Sequence, residues 1–218
     1  MKSKTIGIWS DMVNSASKEF KEYFAAEENY LKRHVSKDMV VLDIGCGDGR
    51  SVKPIAPFVR NFIGVDNDED AVKAFRENLK GAKNVEVFLE DAEKMHFKDQ
   101  TFDVVFIGLT FCNFGDTKQS ILSEIRRILK NGGKFIFSVY SENALDTRTK
   151  MYDKINAKYK IVDKAKGTVL FDDGGISEQF SKKDMEKILV EAGFEITDLV
   201  KGTFFYFITS KRAGKQRP

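Results

Sequence analysis

The sequence predicts a doubly wound α/β fold, a largely parallel sheet with helices on both faces. Three observations carry this. Short apolar runs that read as buried strands alternate with longer segments whose apolar residues recur at helical spacing. The first run, Val40-Val41-Leu42-Asp43-Ile44, breaks into Gly45-Cys46-Gly47-Asp48-Gly49, where alternate glycines let backbone approach a ligand closely. The second, Phe62-Ile63-Gly64-Val65-Asp66, ends in an acid 21 positions after Gly45, the place where a carboxylate can hold a ribose.

The chain has 218 residues, 42% apolar and 32% charged, enough to bury a sizeable core as one ordinary domain. We expect that domain over residues 1–210, followed by a basic tail over 211–218. A net charge of +3 is too small to imply a nucleic-acid partner by itself. Cys46 and Cys112 have neither metal-ligand spacing nor the density of a disulfide framework, so no metal is expected and a reducing compartment is. The N-terminus lacks a signal-peptide core, and no run approaches the ~18 apolar residues of a membrane span. The expected location is cytoplasmic.

Charge decides which nucleotide the glycine loop suits. A loop for a pyrophosphate presents N–H groups and a helix N-terminus, and adjacent acids would repel the ligand. Here Asp43 and Asp48 flank the glycines, and the spacing is GxGxG rather than GxGxxG. Both departures suit an adenosine ligand without phosphates. Val41 to Gly49 resembles the first motif, (V/L)LD-x-G-x-G-x-G, of the class I S-adenosylmethionine (SAM) methyltransferases.

The elements follow in order. Residues 15–35 carry Phe20, Tyr23, Phe24, Leu31 and Val35 at helical spacing, an amphipathic leader or cap helix. In enzymes of this kind such a leader lies across the cofactor mouth. Trp9 or Tyr23 is then a candidate cover, against simple packing on the domain. Pro54 and Pro57 predict a short or kinked helix after the glycine loop. After Asp66, with Asn67 and Asp68 as caps, a helix buries Ala71, Val72, Phe75 and Leu79 and stops at Gly81. Residues 85–89 form a third strand, followed by Glu90-Asp91-Ala92. Phe102 to Gly108 is the fourth, and Thr110, Cys112, Asn113 and Phe114 follow at its carboxyl end, beside the point where strand order reverses. Asp116 is expected to cap the next helix, with Asn131-Gly132-Gly133 ending it. A fifth strand follows over 134–140.

Residues 141–180 are expected to form a lid-like insertion with a helix over 144–159 and strands over 168–171 and 176–180. Arg148, Lys150, Lys154, Lys158, Lys160, Lys164 and Lys166 make it basic. Ser181 then caps a helix that stops at Gly193, and strands over 195–200 and 203–210 close the chain as a hairpin. The turn Leu129-Lys130-Asn131-Gly132-Gly133 resembles the turn before the fifth strand in the same family, with Asn131 where a proline is usual.

The resemblance implies a Rossmann-like seven-stranded sheet, order 3-2-1-4-5-7-6 with strand 7 antiparallel, and SAM as cofactor. It implies cofactor contacts from Asp43, Gly45, Gly47, Gly49, Asp66, Asn67, Asp91, Ala92 and Gly108. Asp66 takes the ribose and Asp91 with Ala92 the adenine. A catalytic group is not identified; Asn113, Tyr140, Glu178 and Tyr206 are candidates from position. His34 and His96 have no carboxylate–histidine spacing that marks a base. The expected acceptor is a small molecule, amines included, because residues 110–114 and 177–181 are similar to segments of small-molecule N-methyltransferases. The alternatives are an RNA methyltransferase using the Lys-rich insertion, a nicotinamide-dependent oxidoreductase, and a SAM-binding module without catalysis.

Overall fold

The computed structural model describes residues 17–214. Trp9 lies outside them. Helix α1 spans Lys18–Lys32 and buries Phe20, Tyr23, Glu27, Tyr30 and Leu31 on one face. Tyr23 stacks on Phe207 at 5.6 Å and meets the Phe205 ring edge-on, so it packs on the sheet.

Strand β1 is Val40–Ile44. The helix after the glycine loop is interrupted as Pro54 and Pro57 predict: α2 covers only Val52–Ile55 and passes into a 3-10 turn over Ala56–Phe58. Strand β2 is Asn61–Asp66, and α3 is Glu69–Asn78 with Asp68 accepting from the Asp70 N–H at 2.8 Å. Strands β3 and β4 are Val85–Leu89 and Phe102–Ile107.

Helix α4, Lys118–Ile128, is not capped by Asp116. Gly115–Thr117 forms a separate 3-10 turn, begun at Gly115 with φ +53°, and Thr117 takes the N-cap position. Nor does the helix reach Asn131. The Arg127 and Ile128 carbonyls accept from the N–H groups of Gln100 and Thr101 at 3.0 and 2.8 Å, which draws the chain straight into β5, Leu129–Tyr140. The glycine pair sits in an irregularity of that strand, where pairing moves from Phe102–Leu129 to Val104–Lys134.

Helix α5, Leu145–Lys154, is shorter than the sequence pattern suggests, because Asn156 takes a left-handed conformation with φ +54° and ends it. The residues beyond form β6, Tyr159–Asp163, of which only Tyr159 falls within the helix expected over 144–159. It pairs with β7, Thr168–Phe171, which pairs with β8, Ile176–Ser177, in a small antiparallel sheet. Residues 178–180 leave that sheet. The Glu178 N–H donates to the Cys112 carbonyl and the Phe180 N–H to the Tyr140 carbonyl, both at 2.9 Å.

Helix α6, Lys182–Glu191, begins with a full capping box between Ser181 and Asp184. Strands β9, Phe194–Lys201, and β10, Phe205–Arg212, form the final hairpin; Lys211 and Arg212, expected in the tail, belong to β10.

The main sheet has the order β3-β2-β1-β4-β5-β10-β9. Counting only its own strands, this is 3-2-1-4-5-7-6. β1 is parallel to both β2 and β4, while β10 runs antiparallel to β5. Leu42, Val104, Val105, Phe135 and Phe137 in its centre are fully buried, each worth about 1.5–3 kcal/mol of apolar transfer. The order reverses between β1 and β4, so their carboxyl ends diverge and leave a crevice.

Candidate active site

A cavity of about 470 Å³ occupies that crevice. At one end its wall is built from Gly45, Gly47, Asp66, Asn67, Asp91 and Ala92. Thr110, Asn113 and Phe114 line its middle, and Tyr140, Tyr152, Phe171, Ile176 and Ser177 the other end.

Backbone geometry explains the first end. Gly45 N–H donates to the Val65 carbonyl at 2.8 Å and Gly47 N–H to the Asp66 carboxylate at 2.9 Å, folding the loop over the end of β2. Gly45 has φ +72°, and a Cβ there would stand 2.4 Å from Thr110 Cγ2. Gly47 has φ +55° and open space where a Cβ would be, on the cavity wall. The second oxygen of Asp66 accepts from the Asp68 N–H at 3.0 Å. Burial raises the Asp66 pKa above its ordinary value, against those backbone bonds.

Some residues expected to touch the cofactor stand behind the wall. Asp43 is buried and accepts from the Ser51 hydroxyl. It braces the start of α2, and burial pushes its pKa up to about 7. Gly49 packs against Phe75 and Leu79, where a Cβ would clash at 2.8–2.9 Å, so its lack of a side chain serves helix packing. Gly108 leaves room for Glu27, whose Oε1 would stand 2.9 Å from a Cβ there. Of the catalytic candidates, Asn113 and Tyr140 line the cavity. Glu178 is ion-paired with Lys118, and the Tyr206 hydroxyl bonds Glu142 at 2.8 Å; neither belongs to the wall. His96 bonds Glu90.

Sequence reasoning missed a buried network behind the middle of the cavity. Arg50 donates to Glu27 at 2.6 Å, Glu27 accepts from Tyr23, and Tyr23 meets Ser138 Oγ at 2.8 Å. Ser138 accepts from the Leu109 N–H at 2.9 Å, fixing Leu109 in a left-handed turn of φ +52° before Thr110. The one available signal was Glu27 itself, spaced with Tyr23, Tyr30 and Leu31 on the apolar face of α1.

Charge on the wall restricts the ligand. Asp66, Asp68, Glu90, Asp91, Glu93 and Asp173 line the cavity, and among the described residues no Lys, Arg or His does. Five of these six acids stand at the Asp66–Asp91 end, where the wall repels a pyrophosphate and favours a ligand carrying positive charge, and only Asp173 stands at the other end.

Comparison with known proteins agrees. Residues 42–137 match the model of a methyltransferase domain. An uncharacterized protein of Methanocaldococcus jannaschii is 30% identical over 182 residues, 78% of this chain and 67% of its own. The chain belongs to the class I SAM-dependent methyltransferases.

This methyltransferase is also 30% identical over 178 residues to the sterol 24-C-methyltransferase of Eremothecium gossypii, but spans only 45% of that protein's length. Among solved structures, the PH0226 protein of Pyrococcus horikoshii OT3 superposes with a TM-score of 0.72 at 28% identity, covering 90% of this chain and 92% of that one. The family implies SAM as the cofactor. Within the described residues, no helix of the methyltransferase is long and apolar enough to cross a membrane.

Proposed function

We propose that the enzyme transfers the methyl group of SAM to a small molecule bound at the Tyr140–Ser177 end of the cavity. The observation that carries this is continuity: one cavity joins Asp66 and Asp91, past Thr110 and Asn113, to a partly aromatic chamber closed by the small sheet.

The residues at the first end fit SAM. Gly47 leaves space that a side chain would fill, and the Asp66 carboxylate keeps acceptor capacity beyond its backbone bonds. Asp66 and Asn67 would hold the ribose, Asp91 and Ala92 the adenine, and Gly45 with Gly47 the methionine end. Asp43 acts from behind by holding Ser51. When bound, SAM supplies an electrophilic methyl on a sulfonium whose departure as a neutral thioether needs no acid.

Alignment of the acceptor can therefore supply much of the rate, up to ~7–11 kcal/mol for a well-oriented pair. Thr110, fixed by the Leu109 turn, and Asn113 would orient the acceptor in the middle of the cavity. Tyr140 is not a base: burial raises its pKa well above the ordinary 10, so its hydroxyl stays protonated.

The exposed lysines at 150, 154, 158, 160, 164 and 166 stand off the cavity wall, which favours a small acceptor over RNA. The test is incubation with methyl-labelled SAM and cell extract, followed by size fractionation. Label in the small pool is expected. Nuclease-sensitive label confined to the large pool would overturn the reading.

A further inference from the structure

The charge run of residues 148–166 contains one member that is not on the surface. Arg148 is fully buried, and among the described residues no carboxylate pairs with it. Its partners are neutral: Nη1 donates to the Gly167 carbonyl at 2.9 Å, Nη2 to Ser177 Oγ at 2.8 Å and Nε to the Tyr152 hydroxyl at 3.4 Å. The guanidinium lies 4.7 Å from the centre of the Tyr140 ring. A buried charge without a counter-charge is costly, and a ligand of the other sign would relieve that cost.

The groups around it are already engaged. Lys118 and Glu178 neutralise each other. Asp173, the acid at this end of the cavity, accepts from the Gly175 N–H at 2.9 Å and does not reach Arg148.

The hydroxyls show where a counter-charge would sit. Ser177 and Tyr152 are each 2% exposed, lie 3.0 Å apart and both line the cavity. Each oxygen accepts a hydrogen from Arg148, and one hydroxyl hydrogen is shared between them. The Tyr140 hydroxyl also bonds Tyr152, so three hydroxyls own three hydrogens and share two of them, which leaves one to donate into the cavity that all three residues line. It is polarised by the guanidinium behind it and belongs to a group on the wall.

We propose, building on the small-molecule reading, that the acceptor carries a carboxylate. The carboxylate takes the remaining hydroxyl hydrogen of the Ser177–Tyr152–Tyr140 set and provides the missing counter-charge for Arg148. A single guanidinium matches a monoanion, whereas a doubly charged phosphate would leave one charge buried and unbalanced. Ser177 and Tyr152 are the contacting groups, and Arg148 is a positioning residue that acts through them.

The test splits the small-molecule pool of an extract on an anion exchanger at neutral pH and offers each half to the enzyme with methyl-labelled SAM. Label is expected in the retained half for a net anion and in the unretained half for an amine-bearing zwitterion, and amidating carboxylates with methylamine beforehand should abolish it in either. Label that survives amidation overturns the carboxylate while leaving the small-molecule reading intact. Label only in macromolecules, or none in any pool, overturns both. With the acceptor fraction that takes label, Ser177→Ala should raise KM by about 10-fold or more, the scale of a hydrogen bond to a charged group, with kcat and SAM affinity little changed. An unchanged KM contradicts the proposal. Arg148→Lys, which keeps the charge, should retain more acceptor affinity than Arg148→Met at equal SAM affinity, and equal losses in the two count against it.

Discussion

Glu27 of the leader helix and Arg50 after the glycine loop form an ion pair at 2.6 Å, with the Glu27 side chain only 2% exposed. The pair ties a helix that precedes the sheet to the loop that shapes the cofactor end. Removing Glu27 strands the Arg50 guanidinium against Phe24 and releases the Tyr23 hydroxyl, which holds Ser138 and thereby Leu109. Glu27→Ala should cost about 2–4 kcal/mol, toward the lower end because Arg50 keeps some contact with water. Urea unfolding with a SAM titration on the same variant checks this. A loss below ~0.5 kcal/mol would show that the network does not brace the site.

The two cavity-wall glycines should respond differently. Gly45→Ala drives a methyl into Thr110 at 2.4 Å and strains the backbone, so both stability and SAM binding should fall. Gly47→Ala meets no protein atom within 4 Å. It should cost only the ~1–2 kcal/mol of a left-handed non-glycine residue while weakening SAM binding severely. Parallel melting curves and binding isotherms separate the two effects. Unaltered SAM affinity in Gly47→Ala would contradict its place on the wall.

Most of the fold could be read from the sequence because the elements that define it are locally consistent. β1 to β3 are short apolar runs ended by turn chemistry, and Asp66 and Asp91 follow them at a fixed structural place. What was hidden depends on tertiary partners. Glu27 among the charged residues of α1 looks like part of a solvated face, and its role exists only through Arg50 and Tyr23. Arg148 reads as one of many basic residues, yet it is the one folded inward. The end of α4 moved because Gln100 and Thr101, distant in sequence, claim its last carbonyls. Asp43 matched a cofactor motif and still lies behind the wall, since a motif fixes residue type and not the direction in which a carboxylate points.

Asp43 should leave a mark on the pH dependence of stability. Its pKa is raised from 3.8 to about 7, chiefly by burial, with Ser51 opposing and Glu27 adding. Below pH 3.8 both folded and unfolded chains hold the proton. Between about 4 and 7 the folded chain keeps a proton that the unfolded chain has released, so stability falls as pH rises, by up to ~1.4 kcal/mol per unit from this group. Above that window the penalty is constant. Asp43→Asn cannot ionise, and thermal melts between pH 4 and 8 should show a flatter profile than the wild type. An identical slope would mean that Asp43 does not titrate in that window.

The central claim is that the Asp66 end of the cavity holds SAM. The most direct measurement is calorimetric titration of SAM into the wild-type protein and into Asp66→Ala, with melting temperatures measured without ligand. The account predicts saturable binding to the wild type and a loss of about 10-fold or more in the variant, the scale of removed hydrogen bonds to a charged group, out of proportion to any change in stability. Equal affinity in the two proteins would contradict it.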